Sequence, residues 1–148
     1  LIMIDSILLV DDEDLFHLVF EDACSLLDIT LSLNAINSSD EAARMFSGWF
    51  NDGDARKEKP ACVFVDLNII GSSFDGIELI RKINFQYGNH VVIGIISSSD
   101  EAEEQAKAIA AGAQFWIIKS DEIEPRLEEF LSDYDGYLDR SNPFKIYK

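Results

Sequence analysis

The stretch Val63-Phe64-Val65-Asp66-Leu67-Asn68 decides both the fold and the candidate site. Its apolar residues, which begin at Cys62, end abruptly in an acid. A short apolar run bounded by polar sequence predicts a buried strand. An aspartate at the carboxyl end of such a strand lies at the edge of the sheet where open α/β folds bind ligands. We therefore interpret Asp66 as a candidate nucleophile that accepts a phosphoryl group.

Four further runs of residues predict strands before and after this one: residues 7–10, 29–34, 91–96 and 115–118. Between the strands, apolar residues recur at helical spacing, so strand and helix alternate five times. Continuous apolar strands that alternate with helices predict a parallel sheet covered on both faces. Right-handed crossovers then favour a flavodoxin-like, doubly wound α/β sandwich with five parallel strands in the order 2-1-3-4-5 and five helices.

The length of 148 residues predicts one domain, which we place at residues 1–138. Asn142 and Pro143 favour an irregular tail over residues 139–148. The polar stretch 51–60 predicts an exposed, mobile loop. The helix after Asp100 contains mostly alanine, so we expect it to be the most weakly anchored helix. Because the first residue is not a start methionine, a piece of a longer protein is one possibility left open.

The charge of the chain argues against several classes of partner. With 28 acids and 12 bases, its formal net charge is −16. Such a field repels phosphate backbones, so we expect no direct binding to nucleic acid or to anionic membranes. No apolar run approaches the ~20 residues of a membrane span, and the start does not resemble a signal peptide. Cys24 and Cys62 lie in apolar contexts typical of reduced core thiols, and we expect a cytoplasmic protein.

Polar side chains follow four of the predicted strands, and the order 2-1-3-4-5 brings them to one edge of the sheet: Asp11, Asp12, Asp66, Ser97 and Lys119. Three crowded carboxylates repel one another, and a hard divalent cation such as Mg²⁺ removes that repulsion. In this hypothesis Asp66 forms an acyl phosphate, while the metal and Lys119 neutralise charge on the transferring group. Ser97 can donate a hydrogen bond to a phosphoryl oxygen.

The sequence resembles the receiver domains of two-component response regulators over residues 7–138. The resemblance depends on the order and spacing of short motifs, which are Leu9-Val10-Asp11-Asp12-Glu13, Val65-Asp66-Leu67-Asn68, Asp75-Gly76-Ile77-Glu78-Leu79, Ala111-Gly112-Ala113 and Ile118-Lys119. Each motif alone is a weak signal, but their combination is specific. The resemblance implies a phosphorelay protein that receives its phosphoryl group from a sensor histidine kinase or a histidine phosphotransfer protein. It further implies that an output protein or domain, which the sequence does not name, reads the phosphorylated state.

The resemblance also implies a role for each site residue. Asp66 resembles the phosphoacceptor, Asp12 a direct Mg²⁺ ligand, and Asp11 a ligand that acts mainly through water. The backbone carbonyl of Asn68 resembles the remaining protein ligand of the metal. Lys119 resembles the lysine that binds the phosphoryl group. By the same resemblance the protein is not an enzyme beyond its own phosphorylation and dephosphorylation.

Three further residues correspond to the switch of the family. Ser97 fills the Ser/Thr switch position, and Ser98 is small, as access of the phosphoryl group requires. Trp116 occupies the position of the switch aromatic, which is usually Tyr or Phe. The resemblance places the partner surface on the face formed by the fourth helix, the fifth strand and the fifth helix.

The sequence departs from the family at two places. Lys119-Ser120 replaces the usual Lys-Pro with its cis peptide bond, which predicts either a trans bond with a shifted loop or a strained cis bond. Ile69-Ile70-Gly71 replaces the usual Met-Pro, and the loop before Asp75-Gly76 is two residues longer. These departures keep open a pseudo-receiver, which binds partners without phosphotransfer. A third alternative is a Mg²⁺-dependent phosphohydrolase, but such enzymes usually carry a second catalytic acid where this chain has Asn68.

Overall fold

Strands and helices alternate along the chain in the computed structural model, which describes residues 4, 6–27, 32–51, 61–88 and 90–148. The strands among these residues are β1 (Ser6–Val10), β2 (Ser32–Ile36), β3 (Cys62–Asp66), β4 (Val92–Ser97), β5 (Phe115–Ile118) and β6 (Lys145–Tyr147). The helices are α1 (Asp14–Leu26), α2 (Ser39–Asn51), α3 (Gly76–Tyr87), α4 (Ala102–Ala111), α5 (Glu124–Ser132) and α6 (Tyr134–Leu138).

The strands form one sheet in the order β2-β1-β3-β4-β5-β6, and every neighbouring pair is parallel. The predicted flavodoxin-like α/β class and the order 2-1-3-4-5 are therefore confirmed. The predicted second strand began at Ile29, and residues 29–31 lie outside the described residues; the described strand starts at Ser32. The loop predicted over 51–60 also lies outside them, apart from residue 51 at the end of α2.

The predicted counts of five strands and five helices were wrong, because the described residues also form β6 and α6, and β6 interrupts the irregular tail predicted over 139–148. Lys145, Ile146 and Tyr147 form β6, which pairs with Phe115, Trp116 and Ile117 of β5, and α6 precedes it. Three residues are too few to give a periodic signal in the sequence. Tertiary packing stabilises the strand instead, because Tyr147 is buried on one face of the sheet and Ile146 packs on the other.

Alternating strand residues divide the core between the two faces of the sheet. Val63 and Val65 of β3 pack with α2, α3 and α4, whereas Cys62 and Phe64 pack with α1, α5 and α6. The second face is rich in aromatic rings. Phe64 lies 5.4 Å from both Phe115 and Phe130, measured between ring centroids.

Gly94 in β4 makes room for this aromatic cluster. A Cβ atom at position 94 would lie 2.6 Å from the ring of Phe115. The missing side chain therefore leaves room for the ring of Phe115 at this point of the sheet.

The helix α4 buries only small side chains, as its alanine-rich composition predicts, and its weak anchoring stays a prediction. Among its residues Ala108 and Ala111 are buried, and Ile109 is 50% exposed. Cys24 and Cys62 are buried free thiols, in agreement with the sequence. Among the described residues, no helix has the length and apolar character needed to span a bilayer.

Candidate functional site

The carboxyl ends of β1 and β3 bring three acids together, because these neighbouring strands run in parallel. Asp11 follows β1 and is fully buried, Asp12 is half-buried beside it, and Asp66 is the last residue of β3. One carboxylate oxygen from each lies within 4.8 Å of the others. We call Asp11, Asp12 and Asp66 the acidic cluster. The sequence prediction that these three residues meet at one edge agrees with this arrangement.

Lys119 supplies positive charge to the acidic cluster. Its Nζ lies 2.6 Å from Oδ2 of Asp11 and 3.4 Å from Oδ1 of Asp66. It also lies 2.9 Å from Oε1 of Glu13 and 4.7 Å from the ring centroid of Phe16. The lysine side chain is only 9% exposed, so its pairs with the buried Asp11 and Asp66 are little screened by water, whereas Glu13 is 64% exposed. The ammonium group of Lys119 therefore forms ion pairs with three carboxylates.

The pKa values of the site reflect this imbalance. Burial, and next the charge of Asp11, raise the pKa of Asp66 to about 7. Burial also raises the pKa of Asp11, although its hydrogen bond with Lys119 opposes the change. For Lys119, burial acts to lower the pKa, but hydrogen bonds to Asp11 and Glu13 outweigh it and raise the pKa. The excess negative charge and the all-oxygen donor set fit a hard divalent cation such as Mg²⁺.

Ser97 ends β4 at the same edge, one residue beyond the pair formed by Asp66 and Ile96. It is 3% exposed, and its Oγ accepts a hydrogen bond from the backbone N–H of Ser99 at 3.2 Å. Ser98, which follows it, is exposed. The structure therefore places both serines where the sequence predicted them, at the carboxyl edge of the sheet.

Trp116 is fully buried among the apolar residues that pack against α3 and α4. Its Nε1 donates a hydrogen bond to the carbonyl oxygen of Ser99 at 2.9 Å. The indole thus joins β5 to the loop that follows Ser97. Its predicted role as a switch aromatic stays a prediction.

After the loop that follows Asp66, the chain returns to the end of β3 at the start of α3. Gly76 opens α3, and a Cβ atom there would overlap the carbonyl oxygen of Asp66. Asp75 caps the helix by accepting a hydrogen bond from the N–H of Glu78 at 2.9 Å, as its capping-box spacing predicts. Asn68 is exposed and borders a cavity of about 700 Å³ between α3 and α4. Its predicted role as a carbonyl ligand stays a prediction.

Sequence reasoning missed two neighbours of the acidic cluster. Glu13 pairs with Lys119, as described above, and Nε2 of His17 lies 2.6 Å from the carbonyl oxygen of Asp11. A carbonyl oxygen only accepts, so Nε2 of His17 is the donor. The only available signal was position, because Glu13 directly follows Asp12 and His17 lies in the first turn of α1.

The bond between Lys119 and Ser120 is trans, since no cis peptide bond occurs among the described residues. The backbone N–H of Lys119 donates to the carbonyl oxygen of Ser97 at 2.8 Å. Its side chain still points to Asp66, as the ion-pair distance above shows. Of the two predicted alternatives, the trans bond is the one observed, and the proline of the usual motif is not needed to direct this lysine to Asp66.

The comparisons with known proteins agree with this arrangement. The family model named response regulator receiver domain matches residues 7–128. The phosphorylated cyanobacterial phytochrome response regulator RcpA is similar in structure, with a TM-score of 0.71 and 16% identity over 93% of this chain and 96% of that chain. A CheY-like receiver domain protein from Methanospirillum hungatei gives a TM-score of 0.72 and 15% identity over 92% and 98%.

A response regulator in red light signaling of R. palustris gives a TM-score of 0.72 and 22% identity over 93% of this chain and 96% of that chain. At these identities the solved structures show the shared fold. A comparison with curated proteins found no match.

Proposed function

Since this chain belongs to the family of response regulator receiver domains, we propose that it accepts a phosphoryl group on Asp66. The donor is a phosphohistidine of a sensor histidine kinase or a histidine phosphotransfer protein. A carboxylate oxygen of Asp66 forms a bond to phosphorus, and the phosphorus–nitrogen bond to the histidine breaks. The observation that carries the proposal is the meeting of Asp66 with two further acids and Lys119 at one sheet edge. Because its donors act in the cytoplasm, we place the protein there.

We infer that Mg²⁺ is the cofactor and that the acidic cluster and the backbone carbonyl of Asn68 hold it. The fit rests on the oxygen donors of the cluster and on its excess negative charge. When bound, the cation neutralises charge on the phosphoryl group during transfer. Lys119 supplies a second positive charge, 3.4 Å from Asp66. The fully buried Asp11 keeps that lysine in place through their short ion pair.

Phosphorylation is read out through a change of shape in this proposal. Ser97 donates its hydroxyl hydrogen to a phosphoryl oxygen, and the exposed Ser98 leaves access to Asp66. Trp116 changes its position in response, because its indole is hydrogen-bonded to the carbonyl oxygen of Ser99, which directly follows Ser98. The output partner, a protein or a domain, binds the face of α4, β5 and α5. Since β6 lies along the outer edge of β5, that face includes β6.

One observation favours the second candidate, a pseudo-receiver that binds partners without phosphotransfer. Nζ of Lys119 lies nearer to Asp11 and Glu13, at 2.6 and 2.9 Å, than to Asp66, at 3.4 Å. A lysine held by two other acids is less available to a phosphoryl group. Phosphotransfer remains our proposal, because both acids that accompany Asp66 are present.

Incubation with acetyl phosphate and Mg²⁺ tests the proposal. Mass spectrometry should detect a labile adduct of one phosphoryl group on the wild-type protein. The adduct should be absent from Asp66→Ala and after chelation of the metal. Asp121→Ala is the matched control, because Asp121 is an exposed acid of the loop after β5 and should leave the adduct unchanged. No adduct under any condition would favour the pseudo-receiver, and continuous release of phosphate would favour a hydrolase.

A further inference from the structure

The loop of residues 67–74, which joins β3 to α3, forms hydrogen bonds with two different parts of the protein. Towards the acidic cluster, the backbone N–H of Ile70 donates to Oδ2 of Asp12 at 3.2 Å. Gly71 has a φ angle of +84°, a value that glycine adopts without strain, and it turns the loop back at this point. Away from the cluster, the loop contacts the first turn of α2.

Three hydrogen bonds join the loop to the first two residues of α2. The backbone N–H of Ser39 donates to Oγ of Ser72 at 3.0 Å, and Oγ of Ser39 donates to the carbonyl oxygen of Phe74 at 2.7 Å. The backbone N–H of Ser73 donates to Oδ2 of Asp40 at 2.9 Å. These partners are 33 to 35 residues apart in sequence, so the bonds depend on the tertiary fold.

Ser39 and Asp40 direct their side-chain oxygens to the loop 67–74, whereas an ordinary helix cap bonds to its own helix. Ser39 is fully buried, so its hydroxyl must find a partner within the protein, and that partner belongs to the loop. The hydrogen bonds from Ser73 lower the pKa of Asp40, which means that they stabilise its charged form. Charge-assisted bonds of this kind are stronger than neutral ones. The first turn of α2 therefore fixes the path of the loop.

We propose that Ser39 and Asp40 are positioning residues that hold the loop 67–74 over the acidic cluster and thereby set its affinity for Mg²⁺. The inference rests on the proposed function, since the loop carries the carbonyl of Asn68 and the N–H group of Ile70, which donates to Asp12. A loop that is already ordered loses less conformational entropy when a cation binds. Neither residue touches the cation, and both act through the loop.

Mg²⁺ titration by calorimetry tests the proposal with a matched set of variants. Asp40→Ala removes the acceptor for Ser73 and should raise the Kd for Mg²⁺ by about 3- to 10-fold, as expected for one lost charge-assisted hydrogen bond. Asp40→Asn keeps an acceptor oxygen without the charge and should restore part of the affinity. Glu41→Ala removes the same charge from the same turn of α2 and should stay within about twofold of wild type, because surface charges are strongly screened.

Hydrogen exchange gives a second measurement that needs no metal. Amides of the loop 67–74 should exchange faster in Asp40→Ala and in Ser39→Ala, while amides of β4 and α5 stay protected. Equal Kd values for wild type and Asp40→Ala, or unchanged exchange of the loop, would overturn this proposal alone. A wild-type protein that binds no Mg²⁺ would overturn the proposed metal site together with this inference.

Discussion

Two clusters in this molecule each combine a lysine with carboxylates, and they affect the pKa of their aspartates in opposite directions. Beside the acidic cluster, Lys119 faces the carboxylates of the buried Asp11 and Asp66 and of the exposed Glu13. Behind the sheet edge formed by β6, Oδ2 of Asp133 accepts hydrogen bonds from Nζ of Lys145 at 3.0 Å and from the hydroxyl of Tyr147 at 2.7 Å. The hydroxyl groups of Tyr147 and Tyr137 lie 2.7 Å apart. We call Asp133, Tyr137, Lys145 and Tyr147 the C-terminal network.

The pKa of an aspartate is shifted in opposite directions in the two clusters. Burial raises the pKa of Asp66 to about 7, whereas the hydrogen bond from Tyr147 lowers the pKa of Asp133. A raised carboxyl pKa means that the fold disfavours the charge, and a lowered one means that the fold favours it. Without a cation, the acidic cluster thus costs stability, while the C-terminal network contributes stability. Unfavourable charge of this kind is typical of functional sites.

The largest expected effect is the loss of Tyr147, which anchors the C-terminal network. The ring is 1% exposed and contacts Phe130 at a centroid distance of 5.8 Å. Tyr147→Ala should lower the free energy of unfolding by about 3–5 kcal/mol, the usual cost of removing a buried aromatic ring. Urea denaturation measures this change.

Tyr147→Phe is the control for the ring, because it keeps the ring and removes only the hydroxyl. It should cost about 0.5–1.5 kcal/mol, the net value of a hydrogen bond. If Tyr147→Ala were as stable as wild type, β6 would not pack on the sheet in solution, and the contrast between the two clusters would fail.

How far the sequence predicted this fold depends on the length of each apolar run. The strands β1, β3, β4 and β5 are continuous apolar runs that end in polar residues, so their burial and order followed from pattern alone. The strand β6 has three residues and begins with Lys145. It is stable because Tyr147 and Ile146 find partners on both faces of the sheet, and such partners are visible only in three dimensions.

The candidate site divides in the same way. The sequence placed Asp11, Asp12, Asp66 and Lys119 at one edge, because strand ends determine position. It did not reveal that Lys119 also pairs with Glu13, since an exposed acid at the start of a helix is common without any such partner. The bonds from Ser39 and Asp40 to the loop were equally hidden, because they join residues more than 30 positions apart through side chains.

The next largest effect is a gain of stability in the acidic cluster. In the presence of a chelator at pH 8, Asp66→Asn should raise the free energy of unfolding by about 1–2 kcal/mol. Each unit of pKa shift corresponds to about 1.4 kcal/mol, and the lost contact with Lys119 offsets part of the gain. Asp121→Asn removes the same charge at an exposed position and should stay within about 0.5 kcal/mol of wild type. A destabilised Asp66→Asn would show that the cluster is satisfied without a cation.

The dependence of this gain on pH has a definite sign. With a pKa raised to about 7, folded Asp66 keeps its proton where the unfolded chain has released it. Wild-type stability should therefore fall as the pH rises from about 4, near the unfolded pKa, to about 7. Asp66→Asn should lack this part of the fall, and urea denaturation at pH 5 and pH 8 compares the two proteins. An equal gain at both pH values would contradict the assigned cause.

The smallest expected effect has the opposite sign and lies in the C-terminal network. Because the pKa of Asp133 is lowered, its contribution is present above the unfolded pKa of about 4 and is lost as the pH falls through the lower folded pKa. Asp133→Asn should lower the free energy of unfolding at pH 7 by about 0.5–1 kcal/mol, since the side chain is half-buried and partly screened. The difference from wild type should shrink below pH 4 in urea denaturation. A stabilising Asp133→Asn would mean that both clusters hold excess negative charge, and the acidic cluster would no longer differ from the C-terminal network in this respect.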